Sequence, residues 1–337
     1  MAKMTVTVFG GSGFIGRHLV RRLAANNAIV RVAVRDAESA NYLRPMGDVG
    51  QIVPIATDLG DARSVTAAVD GADEVVNLVG LLYEGGNQNF RRIHTSGATN
   101  VGSACARAQV SKLVHVSAIG ANSESSSAYA RTKADGENGI TNEFPNATIL
   151  RPSIVFGPED NFFNLFAGLS RLSPIIPVFG CPNFPKITFF SDETLIKIDF
   201  YGKGGTKFQP IYVGDVADAI VAALKIEETK GKIYELGGPK VYTSKELMEL
   251  LAATTGRRRV LAPMPFWYLN FIATFMELLP KPLLTRDQIS LLRHDNIVAK
   301  KANNLEDLGI SATAAEAILP GYLSRFKRPK STALEIS

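Results

Sequence analysis

The feature that most constrains the fold of this 337-residue chain is the run MTVTVFGGSGFIGR at residues 4–17. It predicts an apolar strand that enters a glycine-rich turn, after which a helix begins. Gly10, Gly13 and Gly16 are three residues apart, and glycine lets the backbone approach a diphosphate closely. The first amides of the helix would face that anion. A glycine triplet alone is a weak signal, but the strand before it and the apolar helical spacing after it favour a dinucleotide site over a ligand-free turn.

Strands and helices are predicted to alternate after this first helix. Apolar runs indicate further strands within residues 28–36, 51–61, 73–80, 112–121 and 147–160, with helices at 62–69 and 88–109. Strand–helix–strand units with right-handed crossovers produce parallel strands. The run DEVVNLVG at 73–80 is apolar after its first two residues except for Asn77, as expected for a strand buried on both faces. We therefore predict the α/β class: a Rossmann doubly wound parallel sheet with a smaller, mixed α/β C-terminal domain.

The chain is expected to divide near residue 155. Residues 1–155 would form the dinucleotide-binding domain, its sheet completed by later segments around 208–224. Residues 156–328 would form the smaller substrate-side or docking domain, with a β-hairpin insertion at 183–205. The last residues, 329–337, are predicted to be a tail.

One segment of the second part, FWYLNFIATFMELL at 266–279, is apolar almost all round. At this length it is too short to span a bilayer. It is either a buried helix of the small domain or a surface that docks on a membrane-associated partner or on the lipid interface. The sequence leaves both alternatives open.

Composition excludes several classes of function. The net charge is +5, and the basic runs lack the interleaved aromatic residues of a nucleic-acid-binding surface, so we expect no nucleic-acid partner. Two cysteines and four scattered histidines offer no metal-ligand spacing, so no metal site is expected. The first strand begins near Met4, which leaves no room for a signal peptide, and no apolar run is long enough for a transmembrane helix. These features predict a protein of the bacterial cytoplasm or a processed organelle protein.

The end of the second strand bears on the choice of cofactor. In NAD-selective sites an acidic residue at this point binds the ribose hydroxyls. Here Arg35 stands close to that point, and Arg17 follows the last glycine. Two guanidiniums can hold a 2′-phosphate by charge-assisted hydrogen bonds. We therefore favour NADP(H) over NAD(H), while the neighbouring Asp36 keeps NAD(H) open as the alternative.

The segment SSSAYARTKADGE at 125–137 carries candidate catalytic residues. Tyr129 and Lys133 are four apart, so they share one face of a helix. The ammonium is expected to lower the pKa of the phenol and to reach the nicotinamide ribose. Ser117, at the end of the fifth strand, could hold a substrate carbonyl and leave Tyr129 as the acid or base in hydride transfer. The alternative is a surface tyrosine and lysine with no shared role, which Ser117 and the nucleotide fold disfavour.

Residues 4–158 resemble the short-chain dehydrogenase/reductase superfamily in its extended or atypical type. The residues that carry the resemblance are Gly10, Gly13, Gly16, Asp58, Asn77, Ser117, Tyr129, Lys133 and the pair Arg151-Pro152. The resemblance implies that Ser117, Tyr129 and Lys133 are the catalytic set, either active or vestigial. It also implies a cofactor site made of Gly10, Gly11, Ser12, Gly13, Phe14, Ile15, Gly16, Arg17, Arg35, Asp58, Leu59, Leu78, Val79, Gly80, Ser117, Tyr129, Lys133, Pro152, Ser153 and Ile154.

More narrowly, the chain resembles the nucleotide-binding accessory subunits of respiratory complex I. The strings that carry this resemblance are LRPMGDVGQ (43–51), VNLVG (76–80), HVSAIGANSESSSAYARTKADGE (115–137), FGPEDNFFNLFA (156–167), LLTRDQ (283–288) and LEDLGI (305–310). The resemblance implies a tightly held NADPH, no established turnover, and other complex I subunits as partners in the peripheral arm near the membrane. The short termini resemble the bacterial form, which implies a peripheral location on the cytoplasmic side of the inner membrane, or on the matrix side in an organelle.

Three classes of function remain open. The first is a non-catalytic, NADPH-bound accessory subunit of complex I, and the apolar segment 266–279 agrees with it. The second is a free NADP-dependent reductase, dehydrogenase or epimerase, for which a quinone-biosynthesis intermediate is the first substrate to test. The third is a regulatory sensor that binds the dinucleotide without turnover.

Overall fold

The computed structural model describes residues 3–86, 88–182, 186–191, 194–280 and 282–327. Its strands, in chain order, are β1 (Thr5–Phe9), β2 (Ile29–Val34), β3 (Ile52–Ala56), β4 (Glu74–Asn77), β5 (Lys112–Val116), β6 (Thr148–Pro152), β7 (Val155–Phe156), β8 (Ile175–Phe179), β9 (Lys186–Ser191), β10 (Thr194–Asp199), β11 (Lys207–Phe208), β12 (Ile211–Tyr212), β13 (Ile233–Leu236), β14 (Tyr242–Thr243) and β15 (Val260–Met264).

The α-helices are α1 (Phe14–Ala25), α2 (Ala62–Val69), α3 (Gly97–Ala108), α4 (Ala128–Glu143), α5 (Phe163–Leu172), α6 (Val213–Lys225), α7 (Ser244–Thr255), α8 (Phe266–Met276), α9 (Arg286–Leu292) and α10 (Ala315–Leu323). Short 3-10 helices lie at Glu38–Met46, Glu227–Thr229, Glu306–Leu308 and Ser324–Phe326. The helix predicted at 88–109 is in two parts, a π-helix at Arg91–Ser96 followed directly by α3.

The central sheet has seven strands in the order β13-β6-β5-β4-β1-β2-β3. Every neighbouring pair in it is parallel, so the predicted α/β class and doubly wound parallel sheet are confirmed. The chain moves outward from β1 to β3 and then returns to β4 on the other side of β1. This reversal creates a crevice at the carboxyl ends of β1 and β4, which is where ligands bind in open sheets of this kind.

Helices cover both faces of the sheet because its strands are apolar on both sides. On one face, Leu19 and Val20 of α1 and Ile220 of α6 pack with the strands in one buried cluster. On the other face, Val65 of α2 and Val101 of α3 belong to a second buried cluster. The crevice is therefore built on strands that are held from both sides.

The prediction that segments around 208–224 complete the sheet needs correction. The seventh strand is β13, which pairs in parallel with β6 from Ile233↔Ile149 to Leu236↔Pro152. The 208–224 segment supplies only the two-residue strand β12, which pairs with β7, and then α6 on the face of the sheet. The helix begins at Val213, directly after those two residues, so no longer strand can form there.

A third buried cluster lies outside the sheet and joins α5, α7, α8 and α10. Within the segment of the predicted hairpin insertion, the described strands β9 and β10 pair antiparallel, from Thr194↔Ser191 to Asp199↔Lys186. Residues 183–185 and 192–193 of that insertion, and the predicted tail at 329–337, lie outside the described residues. The boundary near residue 155 stays a prediction.

Helix α8 decides between the two alternatives for 266–279. Leu269 and Ala273 are buried, whereas Trp267, Phe271 and Phe275 are 65%, 61% and 58% exposed. The buried-helix alternative is therefore wrong, and the helix presents an aromatic face to the surroundings. Within the described ranges, no helix combines the length and apolarity needed to cross a membrane.

Candidate functional site

The glycine-rich turn between β1 and α1 has a geometry that requires glycine at two positions. Gly10 has φ +76°, a conformation that L side chains rarely adopt. A Cβ on Gly16 would lie 2.5 Å from the carbonyl oxygen of Gly10, so this helix can approach the turn only without a side chain there. The sequence prediction of a strand, a tight turn and a closely packed helix is confirmed at these residues.

The N-terminus of α1 is open to an anion. Gly13 is its N-cap and provides no side-chain hydrogen bond, and the first helical turn has no acidic residue. Gly13 is also exposed, and a Cβ there would meet only the Gly10 carbonyl oxygen, at 3.2 Å. The first amides of a helix lack intrahelical partners and carry the positive end of the dipole. This end of the helix therefore fits a diphosphate.

The two charged residues after β2 differ in what they contact. One carboxylate oxygen of Asp36 accepts hydrogen bonds from the amides of Glu38, at 3.0 Å, and Ser39, at 3.2 Å, and so caps the 3-10 helix that follows. Arg35 is exposed, and no hydrogen bond or ion pair with another described residue engages its guanidinium. One oxygen of the acidic group is thus bonded to the backbone, and the guanidinium of the neighbouring Arg35 is exposed.

Arg17 is placed differently from Arg35. Its guanidinium lies over the ring of Tyr42, 5.4 Å from the centroid, and its Nη1 is 3.5 Å from Glu159 Oε1. The Tyr42 hydroxyl donates a hydrogen bond to the Ser12 carbonyl oxygen at 2.7 Å, which fixes the ring beside the glycine-rich turn. In the described structure Arg17 and Arg35 do not touch, so a joint role would need a ligand between them.

Asp58 and Leu59, two of the predicted cofactor-site residues, have partners of their own. The Asp58 carboxylate accepts a hydrogen bond from Arg92 Nη2 at 2.7 Å and another from the Gly60 amide at 2.8 Å. Leu59 is 6% exposed and packs in the buried cluster of α2 and α3. Only their backbone and the exposed part of Asp58 can border a ligand.

The loop after β4 lies against the glycine-rich turn. A Cβ on Gly10 would be 3.1 Å from a methyl of Val79, and the Leu78 amide donates to the Phe9 carbonyl oxygen at 3.0 Å. A Cβ on Gly80 would lie 3.2 Å from Lys133 Nζ. The predicted residues Leu78, Val79 and Gly80 therefore connect the turn to the candidate catalytic helix.

The segment after β6 is held by a residue from the end of the chain. The Ser153 hydroxyl donates to Asn296 Oδ1 at 2.6 Å, and the Ile154 amide donates to the same oxygen at 3.2 Å. Pro152 is the last residue of β6. These three predicted residues lie at the carboxyl edge of the sheet, but the Ser153 hydroxyl already has a partner.

Lys133 Nζ and Ser117 both lie at the carboxyl end of β5. Lys133 Nζ donates to the Val116 carbonyl oxygen at 3.3 Å, next to Ser117 in the chain. The Ser117 hydroxyl is buried and has no hydrogen-bond partner among the described residues. Burial lowers the pKa of Lys133 to about 8, and Glu137 opposes that shift. An orphaned hydroxyl beside a buried amine is a site that a ribose or a carbonyl oxygen would satisfy.

Tyr129 does not have the pKa that its spacing from Lys133 suggested. Burial and, to a smaller extent, the nearby carboxylate of Asp287 raise the pKa of Tyr129 to about 12. Its ring packs edge-on against Phe90 and His94, with centroids 5.9 and 5.3 Å away. The predicted lowering of this pKa by the ammonium of Lys133 is therefore wrong for this arrangement, in which loss of hydration is the largest cause of the shift.

His94 belongs to this site and was not singled out from the sequence. Its Nε2 accepts a hydrogen bond from the Leu81 amide at 2.9 Å, and its Nδ1 lies 3.1 Å from the Thr132 hydroxyl. Burial and the neighbouring Lys133 lower the pKa of His94 to about 3, so the ring is neutral. The only sequence signal for His94 was its position on the helix after the fourth strand. A packing residue could occupy the same position, so this signal did not mark His94 as a site residue.

Asp287 is the second site residue that the sequence did not single out, although it lies in the string LLTRDQ. Its carboxylate oxygens accept hydrogen bonds from the Ser127 hydroxyl at 2.8 Å, the Ala128 amide at 2.6 Å and the Tyr129 amide at 3.2 Å. These donors form the N-terminus of α4, the helix that carries Tyr129 and Lys133. A separation of more than 150 residues in the chain hides this contact from sequence patterns.

Taken together, the described residues fit a nicotinamide dinucleotide. An anion-accepting helix end, an exposed arginine after β2 and an orphaned hydroxyl beside a buried amine lie along the carboxyl edge of the sheet. The searched, described residues contain no group of three histidine, cysteine or acidic side chains that could hold a metal ion. The chemistry that the site can support is therefore binding of a dinucleotide, with Tyr129 as a protonated phenol.

Comparison with known proteins gives consistent relatives. Residues 6–237 match the NAD dependent epimerase/dehydratase family. The chain is 34% identical over 319 residues to NADH dehydrogenase (ubiquinone) 1 alpha subcomplex subunit 9, mitochondrial, of Arabidopsis thaliana, covering 91% of this chain and 74% of that protein. It is 30% identical over 324 residues to the mitochondrial NADH-ubiquinone oxidoreductase 40 kDa subunit of Neurospora crassa, covering 96% and 80%.

A solved structure supports the fold independently. Triphenylmethane reductase of Citrobacter sp. superposes with a TM-score of 0.71 at 19% sequence identity, covering 95% of this chain and 99% of that one. At this level of identity the similarity concerns the fold alone.

Proposed function

We propose that this chain, a member of the NAD dependent epimerase/dehydratase family, is an NADPH-binding accessory subunit of respiratory complex I. Within that family it belongs to the family of subunit 9 of the NADH dehydrogenase (ubiquinone) 1 alpha subcomplex. The observation that carries the proposal is that identity to these subunits extends over more than nine-tenths of the chain. It therefore includes the C-terminal part with the exposed helix α8.

Two features of the site support NADPH over NADH. One carboxylate oxygen of Asp36 accepts hydrogen bonds from two backbone amides, so only its second oxygen is left for ribose hydroxyls. Arg35, exposed beside it, can pair with a 2′-phosphate. The turn at Gly10 to Gly16 would hold the diphosphate, and Lys133 and Ser117 would hold the nicotinamide end.

The aromatic face of α8 supports a docking role. Trp267, Phe271 and Phe275 expose more than half of their surface on one short helix. Exposed apolar patches of this kind mark interaction sites. We propose that this face contacts the partner subunits of the peripheral arm or the adjoining membrane surface, on the cytoplasmic side in a bacterium or the matrix side in an organelle.

The test of the assignment is co-migration. Membranes are solubilised with a mild detergent, the respiratory complexes are separated by native electrophoresis, and this chain is located with an antibody. We expect it at the position of complex I, with NADPH extracted from the same band in equimolar amount and exchanging slowly. A chain found only in the free fraction would exclude an accessory role, and rapid exchange of its nucleotide would favour a sensor.

A second candidate, a free NADP-dependent reductase, is favoured by one observation: Tyr129 and Lys133 lie one turn apart on α4, and Lys133 Nζ bonds to the carbonyl oxygen of Val116, the residue before Ser117 and its orphaned hydroxyl. When bound, the nicotinamide would supply the hydride. Tyr129, with its raised pKa, would keep its proton near neutral pH and could donate it to a substrate oxygen. Growth, quinone content and complex assembly are compared in wild type and Tyr129→Phe; a change in quinone content with normal assembly would support this candidate.

A further inference from the structure

Helix α4 obtains its N-terminal cap from two places in the chain. Its own N-cap residue, Ser127, accepts a hydrogen bond from the Ala130 amide at 3.3 Å and donates its hydroxyl to Asp287. Asp287 accepts from the Ala128 and Tyr129 amides. The first three amides of the helix are thus satisfied, two of them by a carboxylate that comes from α9 rather than from the local sequence.

Helix α9 is attached on its other side to the aromatic helix. Arg286 donates from its amide and its Nε to the Glu277 carboxylate, each at 2.8 Å, so the start of α9 is tied to the end of α8. Gln288 donates to the Leu82 carbonyl oxygen at 3.3 Å, in the loop that follows β4. The α8–α9 pair therefore contacts both α4 and the loop that borders the candidate nicotinamide end.

We propose that Asp287 is a positioning residue for the nicotinamide end of the dinucleotide site, where it holds helix α4 in place from the α8–α9 pair. This inference rests on the proposed nucleotide site but names a residue and a connection that the proposed function does not contain. One consequence is that a partner docked on α8 would change the affinity for the nicotinamide half of the dinucleotide, through Arg286 and Asp287. The adenosine end has no such contact with α9 in the described structure.

The physical basis is the cap of a helix. A carboxylate at a helix N-terminus satisfies unpaired amides and interacts favourably with the dipole. Without it, the first turn of α4 frays for part of the time, and Tyr129 lies in that turn, with Lys133 one turn further on. Apparent affinity falls in proportion to the fraction of molecules in which the binding geometry is present. The loss should therefore be confined to ligands that reach α4.

The test compares two ligands on the full-length chain. We measure dissociation constants for NADPH and for adenosine 2′,5′-bisphosphate, which lacks the nicotinamide half, in wild type and Asp287→Asn. Loss of the charged cap should weaken NADPH by about tenfold. The bisphosphate should change by less than about twofold, since it does not reach α4. Equal weakening of both ligands, or of neither, would overturn the proposal.

A matched control is Asp307→Asn. The Asp307 carboxylate also accepts a hydrogen bond from a backbone amide, that of Asn304 at 2.8 Å, but it lies in the short 3-10 helix at Glu306–Leu308, away from α4. It should change neither dissociation constant. If Asp287→Asn fails to fold, Ser127→Ala removes the second half of the same cap and should give the same selective loss for NADPH; an unselective loss would contradict us.

Hydrogen exchange separates this proposal from the proposed function. In Asp287→Asn, the amides of Ala128 and Tyr129 should exchange faster than in wild type, with or without nucleotide. Unchanged exchange there would refute the inference even if NADPH binds. Conversely, a wild-type chain that binds neither ligand would refute the nucleotide site, while faster exchange at α4 would still support Asp287 as its cap.

Discussion

At the scale of single residues, the predicted cofactor preference depends on which charged side chains already have partners within the protein. Asp36 caps the backbone, Arg17 faces Glu159, and Arg35 is exposed. A 2′-phosphate would thus find the guanidinium of Arg35 available, whereas the guanidinium of Arg17 would have to leave the Glu159 carboxylate or bind both anions. Arg35 should therefore contribute more to selectivity than Arg17.

Replacing both arginines should reduce affinity selectively. Hydrogen bonds to charged groups contribute about 1.5–3 kcal/mol, so Arg17→Ala with Arg35→Ala should weaken NADPH by about 10- to 100-fold and leave NADH nearly unchanged. Dissociation constants from nucleotide fluorescence measure this. Arg21→Ala, an exposed arginine on α1, is the matched control. An equal loss for both nucleotides would refute the 2′-phosphate assignment.

The buried histidines of the site predict a dependence of stability on pH. Burial and Lys133 lower the pKa of His94 to about 3, and burial lowers that of His115 well below its usual range. Between pH 6.5 and 3 the unfolded chain binds protons that the folded chain excludes, so stability falls as the pH drops. Glu74, whose pKa burial raises to about 7, acts in the opposite direction, since its protonated form is favoured on folding.

His94→Gln should therefore flatten the acid limb of the stability profile. The slope of the unfolding free energy between pH 6 and 4 should decrease by up to about 1.4 kcal/mol per pH unit relative to wild type. Urea denaturation at several pH values measures it. The control is His294→Gln, at an exposed position: the change in slope for His94→Gln should exceed the change for this variant. Equal slopes in wild type and His94→Gln would contradict a neutral, buried ring at position 94.

At the scale of elements, α8 has two separable faces. Leu269 and Ala273 pack inward, and the aromatic side chains point outward. Sequence patterns predicted the helix but not its exposure, because it is apolar almost all round and its periodicity does not distinguish a buried side. Only its packing on α9 and on the third cluster shows which side is covered.

The exposed face should therefore be dispensable for folding and needed for docking. Trp267→Ser with Phe271→Ser should change the unfolding free energy by only about 0.5 kcal/mol per site. Burial of such side chains on a partner contributes about 1.5–3 kcal/mol each, so co-migration with complex I should be largely lost.

Two control variants test this prediction, one at an exposed leucine on another helix and one at a buried leucine of α8. Leu172→Ser changes a leucine that is 89% exposed on α5 and should preserve co-migration. Leu269→Ser changes a buried leucine of α8 itself and should lower the unfolding temperature instead. Normal co-migration of the double variant would exclude the aromatic face as a docking surface.

At the scale of the whole molecule, the site is assembled from distant parts of the chain. Asn296 holds the segment after β6, and Asp287 caps α4, although both belong to the C-terminal part. A ligand at the carboxyl edge of the sheet would thus contact elements that depend on both parts. Binding should stabilise the fold as a unit.

NADPH should therefore raise the unfolding temperature of the isolated chain. A ligand at 100 times its dissociation constant stabilises the folded state by about 2.7 kcal/mol, which corresponds to a shift of several degrees. Differential scanning calorimetry measures it. NADH at the same concentration should give a smaller shift and inorganic phosphate none; equal shifts for the two dinucleotides would contradict the predicted selectivity.

The sequence by itself determined the main elements of the sheet domain and their order along the chain. Glycine spacing, apolar runs and helical periodicity are local, and local sterics and burial decide them, so the strand, turn and first helix, the parallel sheet and the helix with Tyr129 and Lys133 followed directly. The tertiary structure alone decided what each polar group faces: Asp36 its own backbone, His94 the Leu81 amide, Asp287 the end of α4. Those contacts join residues with no periodic relation, and desolvation, which set the pKa of Tyr129, depends on everything packed around it.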